Sequence, residues 1–247
     1  MMKLLDRLRN ILHGKGAAKV PPLPDTAMTE HVIASIRAAN LSYCGRPKLE
    51  NIAESVLRVR GDKVPGAYIE AGVALGGSAI LLGLLKPAEV RLDLFDVFGM
   101  IPAPGESDGE DAHRRYEEIR SGSSVGLGGN TYYGYVDGLL EKVKANLRQF
   151  GLEPDGASIR CVPGLFEETL QTSGPIALAH IDCDWYDSVK VCIDRISPNL
   201  APGGIVIFDD YSSYSGCTRA VDEWLAADTR IEKIFHRRSL GVRRRLS

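Results

Sequence analysis

Five short apolar runs, at residues 67–71, 90–96, 158–162, 176–182 and 204–209, recur along the chain with helical stretches between them. Strands buried on both faces read as near-continuous apolar runs, and their alternation with helices is the pattern of a parallel sheet covered on both sides. The fold class expected is therefore α/β, with a mostly parallel, doubly wound sheet. Ligands of such sheets bind outside the carboxyl ends of the strands, so the residues that follow each run are the ones to read for chemistry.

The 247 residues, 44% of them hydrophobic, suffice for one domain with additions. Residues 1–60 read as an N-terminal helical extension with a linker, and residues 61–247 as the main domain. Leu4, Leu5, Leu8, Ile11 and Leu12 have helical spacing opposite Lys3, Arg7 and Arg9, which makes residues 1–15 an amphipathic helix. Its apolar side is expected to pack on the domain or on a second subunit, and a homo-oligomer is the expected state. GKGAAKVPPLPD then reads as a linker, and helical patterns follow at about 28–39 and 48–60.

Residues 98–134 break the rhythm, being long and rich in Gly, Ser, Asp and Pro. A segment of that kind leaving the carboxyl end of the second strand is expected to be a lid. The basic residues Arg237, Arg238, Arg243, Arg244 and Arg245 are read as an edge hairpin whose charges discourage further strand pairing.

Thirty basic against 32 acidic residues leave a net charge of -2, which calls for no nucleic acid or other polyanion. The five cysteines form no CxxC pair and are expected to be reduced, in a cytoplasmic protein. No apolar run approaches the roughly 20 residues that span a bilayer, so no stable membrane insertion is expected.

The first strand runs into Glu70-Ala71-Gly72-Val73-Ala74-Leu75-Gly76-Gly77-Ser78 and then an apolar helix. Glycines permit a tight turn and close approach of a ligand, and the helix start offers unpaired N–H groups to an anion. Gly72, Gly76 and Ser78 thus outline a cofactor turn. Asp96 ends the second strand, where a carboxylate can accept hydrogen bonds from both hydroxyls of a ribose; Asp93, inside the strand, is the weaker candidate. Together these favour a nucleoside-bearing ligand and leave NAD and S-adenosylmethionine both open, although the glycine spacing is not GxGxxG.

The fourth run closes on Asp182, followed by Cys183-Asp184-Trp185, and the fifth is followed by Asp209-Asp210. Carboxylates at the ends of adjacent parallel strands converge on one edge, so Asp182, Asp209 and Asp210 are expected to share Mg2+ or a similar hard cation. Scattered His and Cys without ligand spacing argue against zinc. Asp187 is expected to cap the helix that follows.

With these residues in hand, the chain resembles the macrocin O-methyltransferase family over about residues 48–227. The likeness rests on VPGAYIEAGVALGGS, LFDVFGMIP, PGLFEETL, IDCDWYDS, PNLAPGGIVIFDDY and GCTRAVDEWL. It implies a Rossmann-like class I fold and Mg2+-dependent methyl transfer from S-adenosyl-L-methionine to a hydroxyl of a small-molecule sugar or glycoside. It also implies that Glu70, Gly72 and Ser78 hold the methionine end of the cofactor, Asp96 its ribose, and the turn of Gly164, Phe166 and Glu167 its adenine edge. Asp182, Asp209 and Asp210 would be metal ligands, and Asp182 or Asp184 the catalytic proton acceptor. Ala74-Leu75 and Phe98-Gly99-Met100 depart from the family pattern. The alternatives are a catechol-type O-methyltransferase and a non-catalytic regulator that binds S-adenosylmethionine.

Overall fold

In a computed structural model that describes residues 26–246, the five runs form parallel strands: β1 (Ala67–Ala71), β2 (Leu92–Asp96), β3 (Ile159–Pro163), β4 (Ile176–Ile181) and β5 (Leu200–Phe208). The amphipathic helix expected at residues 1–15 and its linker lie outside the described residues. Strands β6 (Ile231–Arg237) and β7 (Ser239–Arg244) complete a seven-stranded sheet of order β3-β2-β1-β4-β5-β7-β6. The C-terminal hairpin is antiparallel, with β7 paired to β5 and β6 at the edge. Its arginines bind within the domain: Arg243 pairs with Glu232, Arg237 with Glu54, and Arg244 donates to the Leu200 carbonyl.

Period-two alternation builds a three-layer core. Tyr68, Leu92, Leu94, Leu178, Ile205 and Ile207 face one side, where α1 (Thr26–Ala38), α2 (Arg46–Gly61), α3 (Gly77–Leu85) and α5 (Leu139–Gln149) bury Ile33, Ile52, Val56, Ile80 and Val143. Ile69, Phe95, Ala179, Ile181, Val206 and Phe208 face the other, against α7 (Tyr186–Ile196) and α8 (Ser215–Ala227). All nine residues of α3 are buried, in keeping with a helix that is apolar nearly all round. Helices α1 and α2 share the core of the sheet. Among the described residues no helix is long and apolar enough to cross a membrane.

Residues 98–134 contain a helix, α4 (Glu110–Arg120), and are fastened at several points. Asp108 accepts a hydrogen bond from the Tyr186 N–H at the start of α7 (2.6 Å), and Asp111 accepts from the Ser215 N–H (2.7 Å) and hydroxyl (2.8 Å) at the start of α8. The Trp185 indole donates to the Pro102 carbonyl (2.9 Å). The expectation that Asp187 caps α7 is corrected: Asp187 sits in the first turn and makes no cap bond, and Asp108 supplies the acceptor from outside the helix.

Chain order leaves β1 for β2 and β3 on one side and returns to β4 and β5 on the other. The crevice of such a sheet opens between the strands flanking that reversal, here the carboxyl ends of β1 and β4, which meet where the Asp182 N–H donates to the Ala71 carbonyl at 2.8 Å.

Candidate active site

Gly72 follows β1 with φ +91°, and a Cβ there would overlap the Asp182 carbonyl, so only glycine fits this crossing of two strand ends. Gly76, with φ 88°, starts α3. Asp96 governs the turn between them. Its Oδ2 accepts the Val73 (2.7 Å) and Ala74 (3.1 Å) N–H groups, and its Oδ1 accepts that of Phe98 (2.7 Å). Burial raises the Asp96 carboxyl against these three bonds.

Ala74, Phe98 and Asp184 all have positive φ, at 47°, 49° and 60°. Such conformations cost about 1–3 kcal/mol each and persist where the surroundings impose them. Ala74 and Phe98 both donate their N–H groups to the Asp96 carboxylate.

A cavity of about 250 Å³ opens over this turn, lined by Gly72, Asp96, Phe166, Glu167, Asp182 and Asp184 and, from the 98–134 segment, by Gly99, Ile101, Pro102, Asp108 and Tyr133. Gly76, Ser78 and Gly164 lie outside the lining. Ser78 is buried in α3, and Gly164 donates to the Asp96 carbonyl at 3.0 Å with φ +136°. Glu70 is turned away from the cavity: fully buried, it places Oε1 2.9 Å from His180 Nδ1 across the β1–β4 pair. Asp93, the weaker ribose candidate, is paired with Arg91 (3.0 Å) and Arg160 (3.1 Å) inside the sheet.

The four acids divide into two groups. Asp182, Asp184 and Asp210 bring carboxylate oxygens within 4.8 Å of one another. Burial, then the neighbouring carboxylates, push the Asp182 and Asp184 carboxyls well above the usual range. Asp209 lies deeper, with Oδ2 2.5 Å from Lys48 Nζ and Oδ1 3.7 Å from His180 Nε2. Burial pushes Asp209 up, but His180 and Lys48 outweigh it and hold the carboxyl low. Lys48 also reaches Asp210 Oδ1 at 3.5 Å. For His180, burial lowers the imidazole, yet Asp209 and Glu70 bring it up to about 9.

Two tyrosines of the 98–134 segment, Tyr132 and Tyr133, pack with Tyr43 of the 39–45 loop at ring distances of 6.1 and 5.5 Å, and Arg115 lies over Tyr132.

Over residues 31–242 the sequence matches the macrocin-O-methyltransferase model. The chain belongs to the macrocin O-methyltransferase family. The demethyldecarbamoylnovobiocin O-methyltransferase of Streptomyces niveus is 34% identical over 188 residues, and the match spans 74% of this chain and 66% of that protein. The mycinamicin III 3''-O-methyltransferase of Micromonospora griseorubida is 29% identical over 187 residues, 73% of this chain and 68% of that one. Among solved structures, the O-methyltransferase NovP superposes with a TM-score of 0.71 at 28% identity, covering 99% of each chain. The calicheamicin methyltransferase CalS11, at 19% identity and a TM-score of 0.56, covers 94% of this chain and 98% of its own and shares the fold. This macrocin O-methyltransferase family member also places Cys44, Lys48 and His180 among the acids, three residues that the sequence reading did not single out. Only His180, a titratable group inside an otherwise apolar run, carried a local signal.

Proposed function

We propose that the chain is a divalent-metal-dependent O-methyltransferase that moves the methyl group of S-adenosylmethionine to a hydroxyl of a sugar or glycosylated small molecule. The observation that carries this reading is that Asp182 and Asp184 line the same cavity as Gly72 and Asp96. Two relatives are named as O-methyltransferases of demethyldecarbamoylnovobiocin and of mycinamicin III, and a third, of Streptomyces olivaceus, as the 4'-O-methyltransferase of a rhamnosyl-bearing tetracenomycin C.

The residues suit both groups. Asp210 Oδ2 is buried without a hydrogen-bond partner, and an all-oxygen donor set matches a hard cation. Asp182 and Asp210 would anchor that cation, with Asp209 at its inner edge and Asp184 at its outer edge. When bound, the cation supplies positive charge that makes an acceptor hydroxyl more acidic; S-adenosylmethionine supplies the electrophilic methyl group. Gly72 admits the donor close to the sheet. Asp96 keeps lone pairs beyond those facing the turn, since each carboxylate oxygen has two, and these accept the ribose hydroxyls. Glu70, Gly72 and Ser78 would hold the methionine end, with Gly76 in the same turn, and Gly164, Phe166 and Glu167 would border the adenine. Asp184 Oδ takes the proton of the acceptor hydroxyl, and the 98–134 segment acts as the lid that excludes water and aligns the reactants.

Chelator-treated protein tests this directly. Incubated with S-adenosylmethionine and a panel of glycosides, nucleotide sugars and catechols, it should give no methylated product by mass spectrometry, and Mg2+ should restore methylated glycosides. Full turnover after chelation would refute the metal requirement, and methylated catechols alone would refute the acceptor class.

A further inference from the structure

Three aromatic residues line the cavity: Phe166, Trp185 and Tyr133. Phe166 follows β3, and the Trp185 indole is committed to the Pro102 carbonyl and packs edge-on against Tyr214 at 5.3 Å. Tyr133 comes from the 98–134 segment and is half-buried. Its hydroxyl is pushed well above its usual value by burial first, then by Tyr132, and then by the carboxylates of Asp184 and Asp96. The ring therefore stays neutral near pH 7, and it lies within electrostatic reach of both acids.

Local packing fixes the ring. Tyr132 lies against it with centroids 4.5 Å apart and a tilt of 45°, and Tyr43 meets it edge-on at 5.5 Å and 64°. The single turn Tyr133–Tyr135 closes tightly behind it: a Cβ on Gly134 would come within 2.9 Å of the Tyr132 ring and 3.3 Å of Met100 Cα. The charge around the cavity is one-sided. Its lining includes Asp96, Glu167, Asp182 and Asp184 and, among the described residues, no lysine, arginine or histidine. Such a lining suits a positively charged ligand, and the face of a neutral aromatic ring attracts a cation through its quadrupole.

The inference rests on the donor proposed above, with Asp96 on the ribose and Asp184 taking the acceptor proton. The sulfonium is bonded to the ribose through one carbon and presents its methyl group to the acceptor, so it belongs between those two acids, the stretch that Tyr133 borders. We propose that Tyr133 is a donor-binding residue whose ring lies against the sulfonium and distinguishes charged S-adenosylmethionine from its neutral product. Transfer breaks the S–CH3 bond and leaves its electron pair on sulfur, while the acceptor oxygen gains the methyl group and gives up its proton. The resulting thioether carries no charge and forfeits the contact, which favours exchange of spent for fresh donor. Because the ring belongs to the segment over the cavity, the contact also ties that segment to the charge state of the ligand.

Calorimetry on the full-length chain, with Mg2+ in excess, tests this without turnover. The ligands are S-adenosylmethionine, S-adenosylhomocysteine and an analogue that carries an ammonium group on carbon in place of the sulfonium. Tyr133→Leu keeps apolar bulk and removes the ring. It should weaken both cationic ligands by roughly five- to thirty-fold, the range of a largely desolvated cation–π contact, and leave S-adenosylhomocysteine close to native. Tyr133→Phe keeps the ring and should stay near native for all three. Tyr133→Met, a second variant without a ring, should repeat the split, and the retained affinity for S-adenosylhomocysteine shows that the cavity is intact. Equal weakening of all three ligands, or cationic ligands that bind the leucine and methionine variants as they bind the native chain, overturns the contact and leaves the proposed donor standing. A native chain that binds none of the three overturns the donor and the contact together.

Discussion

Asp108 belongs to the segment over the cavity, yet its carboxylate serves the body of the domain. It is 9% exposed, and its two oxygens accept from the Tyr186 N–H at 2.6 Å and the Gly105 N–H at 3.1 Å. Asp108→Ala therefore removes a helix cap, worth about 1 kcal/mol, and a second charge-assisted bond, for a combined loss of about 2–3 kcal/mol. At about 2–4 °C per kcal/mol for a chain of this size, the melting temperature should fall by roughly 4–12 °C. Asp108→Asn keeps an acceptor without the charge and should lose less. Because the bond joins two parts of the chain, hydrogen exchange should quicken both in residues 98–109 and at the first turn of α7, and the acceptor KM should rise. If Asp108→Ala melts like the native chain and exchanges like it, the segment is not fastened through this residue and the argument fails.

Three further outcomes follow from the site. Asp184→Asn should lower turnover while leaving Mg2+ affinity close to native, whereas Asp182→Asn should raise the Mg2+ concentration needed; equal loss of metal binding, measured by calorimetry, would put Asp184 in the ligand set. Asp96→Ala frees three N–H groups of the cofactor turn and should weaken S-adenosylmethionine binding by tenfold or more, at roughly 1.5–3 kcal/mol per charge-assisted bond; an unchanged Kd in a folded variant rejects its role. Asp111 has a carboxyl that burial nudges up but the Ser215 N–H and hydroxyl hold below its usual value. A lowered folded value means stability that is complete above the unfolded pKa of about 3.9 and lost as pH falls through the folded value. The stability gap between native chain and Asp111→Ala should thus be constant near neutral pH and close on the acid side, and a gap indifferent to acid would exclude the interaction.

The strands were legible because burial on both faces writes a continuous apolar run. β5 was placed four residues short, since Pro202 and Gly203 look like a turn, whereas the chain stays extended and pairs Leu200 with Ile176 across a register shift. α4 was invisible for the opposite reason: its sequence EDAHRRYEEIR buries only Ala112 and Ile119, too little apolar surface for a helical period to register. The acids at the strand ends could be found because parallel topology alone gathers them. Cys44 and Lys48 could not, because packing of α1 and α2 on the sheet brings them to partners 138 and 161 residues away. The contact of Glu70 with His180 could not be read either, because the motif locates a residue on a strand without saying which face its side chain takes.

That face decides how the site is oriented. Glu70, His180 and Asp209 follow the alternation that points toward α2, and α2 answers with Lys48, so the inner side of the acid cluster already has its positive charge. Asp182 and Asp184 receive no comparable compensation and are the carboxyls held high by burial and by one another. They are also the acids that line the cavity. Added positive charge therefore gains most at the cavity side, where opposite charge relieves a desolvated carboxylate pair, and least beneath it. The same asymmetry keeps the inner carboxylate fixed while the outer pair stays free to respond to what enters. A group that approaches through the cavity accordingly meets Asp184 and Asp182 first, the arrangement that the proposed proton removal beside a bound cation would use.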